Sequence, residues 1–76
     1  MEYKGQFYKE VLGSDVPNNG MYLELQDPSG KSITTVFRSD DTGKFEVHID
    51  NKSAPQDLIE SFVSSAKVKL QKRGNA

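Results

Sequence analysis

Three stretches of this chain follow a two-residue alternation between a mainly apolar and a mainly polar set. Met21, Leu23 and Leu25 alternate with Tyr22, Glu24 and Gln26; Ile33, Thr35 and Phe37 with Thr34, Val36 and Arg38; Phe45, Val47 and Ile49 with Lys44, Glu46 and His48. A period of two places each set on one face of a strand, so the three strands share an apolar inner face and a more polar outer one. At Leu58 the period becomes helical. Leu58, Ile59, Phe62, Val63, Ala66 and Leu70 then fall within an arc of about 140° at about 100° per residue, a stripe that can cover the apolar face.

The segment Tyr3–Leu12 reads two ways. Tyr3, Phe7, Tyr8, Val11 and Leu12 have the spacing of one helical side, while Phe7 and Val11 also alternate with Tyr8 and Leu12 as in a strand. Its aromatic residues, the interior Gly5 and the missing N-cap before Tyr3 favour the strand. Gly13–Gly20 is rich in turn formers and reads as a loop. Asp27-Pro28-Ser29-Gly30 predicts a tight turn joining Met21–Gln26 to Ser32–Arg38, and Ser39–Gly43 a second turn leading to Lys44–Ile49. Ser53-Ala54-Pro55-Gln56 resembles a capping box at the start of the helix, and Gly74 its stop. The expectation is a single α+β domain over residues 1–76: a four-stranded antiparallel β-meander with one C-terminal α-helix packed on one face. Its expected core comprises Phe7, Val11, Met21, Leu23, Leu25, Ile33, Phe37, Phe45, Val47, Ile49, Leu58, Ile59, Phe62, Val63 and Leu70.

A domain of 76 residues buries only about 60% of its unfolded surface, which leaves little stability to hold a strained, desolvated pocket. Size therefore favours a binding module over an enzyme. Cysteine is absent, which rules out a disulfide scaffold and fits a reducing, cytoplasmic setting. No apolar run approaches the length of a membrane span, and Met1–Glu10 is too charged for a secretory signal. The formal net charge is only −1, but it is unevenly placed. Lys67, Lys69, Lys72 and Arg73 crowd the last ten residues, leaving six basic against eleven acidic residues before them. An acidic body with a basic tip is a poor profile for a nucleic-acid binder.

No constellation carries catalytic or metal chemistry. His48, the single histidine, shares a strand face with Lys44 and Glu46. No serine stands in a nucleophile elbow. Asp40 and Asp41 belong to a turn and lack the alternating ligand spacing of a calcium loop. Gly30-Lys31-Ser32 lacks the first glycine and the following helix of a phosphate loop. No cofactor is expected.

The outer sheet face is the expected contact surface, with Tyr22, Val36, Arg38 and His48 at its centre, because tyrosine and arginine are enriched where interfaces bind tightly. The order of elements resembles that of small immunity proteins and protein inhibitors of bacteria and phages, which this chain is similar to in size and acidity. It also resembles three-stranded DNA-binding domains and partial antitoxin domains of the ribonuclease-H type, without the row of Arg, Lys and Trp that the DNA-binding sheets carry. The function expected is a non-enzymatic protein-binding module of inhibitor or immunity type. The alternative is a nucleic-acid module using the sheet face or the basic helix end. A homodimer through the sheet face or an edge strand is a further expectation.

Overall fold

The computed structural model describes residues 1–71, and within them the expected meander is preceded by a small extra hairpin. The elements are β1 (Glu2–Tyr3), β2 (Gln6–Phe7), β3 (Lys9–Asp15), β4 (Gly20–Gln26), β5 (Ser32–Ser39), β6 (Phe45–Ile49) and α1 (Gln56–Lys69). Strands β3 to β6 form one antiparallel sheet in sequence order, and β1 pairs only with β2. The fold is α+β. No helix among the described residues is long and apolar enough to cross a membrane.

The segment Tyr3–Leu12 is extended, as its composition favours, but it is broken twice. Lys4 and Gly5 both take positive φ (48° and 81°), the geometry of a two-residue hairpin turn. Tyr8 then separates β2 from β3, and its N–H donates to the Met1 carbonyl while the Met1 amine donates to the Tyr8 carbonyl. The breaks reset the alternation. Phe7, expected in the core, is 71% exposed. Val11, also expected there, lies opposite Glu24 on the outer face, while Leu12 lies opposite Leu23 on the inner one. Strand β3 also extends through Gly13 to Asp15, leaving a four-residue connection where a longer loop was expected.

The turns follow their chemistry. Asp27 Oδ1 accepts from the Ser29 N–H (2.9 Å), the Ser29 hydroxyl (2.6 Å) and the Lys31 N–H (3.0 Å), and Gly30 closes the turn at φ 91°. Ser39 Oγ accepts from the N–H groups of Asp41 and Thr42 in the next turn.

Strand β5 departs most from expectation. Leu25 pairs with Thr34 but Gln26 pairs with Ser32, so Ile33 is an extra residue in the strand. A bulge of this kind shifts the side-chain phase by one, and every residue beyond it changes face. Ile33 and Thr34 are consequently both buried, and Val36 and Arg38 follow Thr34 inward at 0% and 7% exposure. Phe37, expected in the core, turns outward beside Tyr22, its register partner. The bulge is held from outside the strand as well: the Ile33 carbonyl accepts from both Asp50 N–H (2.9 Å) and Asn51 N–H (3.1 Å). The buried Thr34 hydroxyl donates to the His48 carbonyl at 2.7 Å.

The core contains Leu23, Leu25, Ile33, Val36, Leu58, Ile59, Phe62, Ala66 and Leu70, with Met21, Phe45 and Val63 partly buried against it. Val47 and Ile49 point to the inner face as expected, yet remain 40% and 42% exposed; of this edge strand, Phe45 is the residue packed against the core. The helix begins at Gln56 without a side-chain cap. Ser53 does not serve as one; its N–H is instead taken by Asn51 Oδ1 at 3.0 Å. Asp57 in the first turn accepts the Tyr3 hydroxyl at 2.7 Å, which ties the N-terminal hairpin to the helix. Glu10, inward on β3, accepts Lys69 Nζ at 2.7 Å and lies 3.6 Å from the N-terminal amine. Lys72, Arg73 and Gly74, assigned from the sequence to the basic tip and helix stop, lie outside the described residues.

Candidate functional site: the outer face of the sheet

Residues directly opposite in neighbouring strands share a face, so the register fixes the outer surface row by row. One row runs Val11, Glu24, Thr35, His48; the next runs Gly13, Tyr22, Phe37, Glu46. Two of the four expected contact residues are therefore on this face, Tyr22 and His48. Val36 and Arg38 are not. The bulge at Ile33 turns both to the inner face, where Arg38 donates to Asp40 Oδ1 (2.9 Å) and to the Ser39 carbonyl (3.3 Å). Among the described residues its Nε has no hydrogen-bond partner. Arg38 thus braces the β5–β6 turn from inside instead of presenting a cation to solvent.

Phe37 takes the place that Val36 and Arg38 were expected to hold. The two outer aromatic rings are each seated over a glycine of the neighbouring strand. A Cβ on Gly13 would lie 2.5 Å from the Tyr22 ring and hydroxyl, and one on Gly20 would collide with the Phe37 ring and the Arg38 carbonyl oxygen. With no side chain beneath them, the rings lie down along the sheet and form a shelf. Glycine inside a strand is the signal that a neighbour approaches closely. Gly13 and Gly20 carried that signal, but both fell in the segment that reads as a loop.

Around this shelf the surface is shallowly concave, with Asp15, Glu24 and Glu46 as its anionic groups and Lys44 and His48 toward the β6 side. Asp15 is engaged with the Asn18 side chain at 3.0 and 3.1 Å, and Glu24 accepts from Gln26 at 3.1 Å. His48 Nε2 lies 3.5 Å from Glu46 Oε1, with both side chains largely in solvent. Half-buried aromatic rings beside carboxylates suit a cationic group, which gains from the ring quadrupole and from charge-assisted hydrogen bonds together. Among the described residues, no group of three His, Cys, Asp or Glu side chains is placed to hold a metal ion.

The basic helix end is partly engaged within the molecule. Lys69 is bonded to Glu10, and Lys67 sits over the Phe45 ring at 5.9 Å. The chain matches no protein-family model, no curated protein and no solved structure.

Proposed function

We propose that this chain is a non-enzymatic protein-binding module that docks the outer face of its sheet onto a basic patch of a partner protein, blocking that patch as an inhibitor or immunity-type protein does. The observation that carries the reading is the Tyr22–Phe37 shelf on rigid strands, bordered by Asp15, Glu24 and Glu46. Rings already held by the sheet lose little freedom on binding, and the carboxylates speed encounter with a cationic surface. The nucleic-acid alternative is disfavoured by the same placements. Arg38 is turned inward and paired, and among the described residues Lys44 is the one Lys or Arg lining the concavity, beside Glu46.

Fluorescence titration with a hexa-arginine peptide and with a duplex DNA of random sequence tests this reading. The peptide is expected to bind, and a Tyr22→Ala, Phe37→Ala double variant to bind it roughly tenfold more weakly. DNA near physiological salt is expected to bind no better than roughly 10⁻⁵ M. Sub-micromolar DNA binding with a steep salt dependence, or peptide affinity unchanged in the double variant, contradicts the proposal.

A further inference from the structure

Among the described residues strand β6 ends the sheet, and the edge it leaves open is complementary to itself. The Lys44 carbonyl accepts from Ser39 N–H, and Asp50 N–H donates to the Ile33 carbonyl. Between these two points the antiparallel ladder alternates, so residues 44, 46, 48 and 50 direct their backbone groups to β5. Phe45, Val47 and Ile49 direct theirs to the open edge. Their side chains lie on the inner face, and there Val47 and Ile49 stay 40% and 42% exposed. Edges that combine open backbone groups with uncovered apolar side chains are templates for strand pairing.

We propose that the chain forms a two-fold homodimer in which β6 pairs antiparallel with β6 of a second copy, with Val47 on the axis. In that register Phe45 lies opposite Ile49 of the second copy, Glu46 opposite its His48, and Lys44 opposite its Asp50. Each apolar residue meets an apolar one and each acid meets a base, twice over by symmetry. The adjacent registers fail. An axis at Glu46 sets that carboxylate against itself and Lys44 against His48, and an axis at His48 sets Glu46 against Asp50. The pairing joins the two sheets into one of eight strands and closes the uncovered strip of Val47 and Ile49 between the two helices. It does not depend on the docking role of Tyr22 and Phe37. A five-residue edge is a small contact, so the dimer is a weak one.

Sedimentation equilibrium of the full chain tests this directly. The mass is expected to rise from the 8.5 kDa of one chain toward twice that value as concentration approaches roughly 1 mM. His48→Glu sets carboxylates opposite each other at both ends of the register and is expected to weaken the dimer roughly tenfold. Adding Glu46→Lys to it restores opposite charges in the same register and is expected to restore association. Both residues are in solvent, so circular dichroism is expected to be unchanged. A wild-type chain that stays monomeric overturns the proposal. So does a dimer indifferent to His48→Glu, or one that the second substitution fails to rescue.

Discussion

The Phe37 ring lies over Gly20 in the space where any other residue would carry its Cβ. An added methyl there meets both this ring and the Arg38 carbonyl oxygen, and the backbone cannot step aside. Gly20→Ala is therefore expected to destabilise the fold by about 1–3 kcal/mol, the usual cost of overpacking. At Gly13 the nearest obstruction is the outer end of the Tyr22 ring, which can swing away. Gly13→Ala is expected to cost less stability than Gly20→Ala but to lift Tyr22 off the sheet and weaken binding of the cationic peptide. Urea denaturation of the two variants checks the order; equal losses contradict it.

Which parts of this fold were legible depended on how the two faces of each strand differ. Strand β4 and the helix have one apolar side each, and their core residues are where the periodicity places them. Strand β5 offers Ile33, Val36 and Phe37, apolar residues on both faces, so composition cannot set its phase. The bulge at Ile33 then decides it through backbone bonds to Asp50 and Asn51, which side-chain alternation does not report. That single residue moved Val36 and Arg38 out of the expected contact surface and brought Phe37 into it. Phe7 and Val11 were misplaced for a related reason: the turn at Lys4-Gly5 has lysine where asparagine or aspartate usually signals it.

Arg38 and Asp40 form an ion pair whose arginine is buried and whose aspartate is not. Removing the acid leaves a buried, unpaired guanidinium, whereas replacing the arginine by an apolar side chain of similar length removes the desolvation cost together with the pair. Asp40→Ala is expected to destabilise by about 1–3 kcal/mol, and Arg38→Met by less, with no loss as an admissible outcome. Thermal unfolding of the two variants checks this. A larger loss for Arg38→Met contradicts the view that the desolvation of Arg38 offsets most of what its ion pair contributes.

Stability is expected to fall at both ends of the pH scale, through particular groups. Hydrogen bonds from the Ser29 hydroxyl and the Lys31 N–H hold the Asp27 carboxyl below its ordinary value of 3.8, and the Tyr3 hydroxyl does the same to Asp57. A carboxyl depressed in the folded state stabilises it above the unfolded value, and that contribution is lost as pH falls through the folded value. Tyr3, whose neutral hydroxyl donates to Asp57, is raised above 10.0. Its contribution is present below that value and is lost as pH rises through the folded one. Asp27→Asn is expected to flatten the acid limb of a melting-temperature profile below about pH 4. Tyr3→Phe is expected to flatten the alkaline limb. Limbs unchanged in slope contradict these assignments.

On the proposed function, the outer sheet face built on Tyr22 and Phe37 is the surface this protein presents to a partner. Backbone amide shifts of the isotope-labelled chain, followed during titration with hexa-arginine, report on it most directly. The expected result is a set of salt-sensitive shifts centred on Tyr22, Glu24, Thr35 and Phe37, with α1 unmoved. Shifts centred on α1 or the β1–β2 hairpin, with the Tyr22–Phe37 shelf silent, would contradict the account.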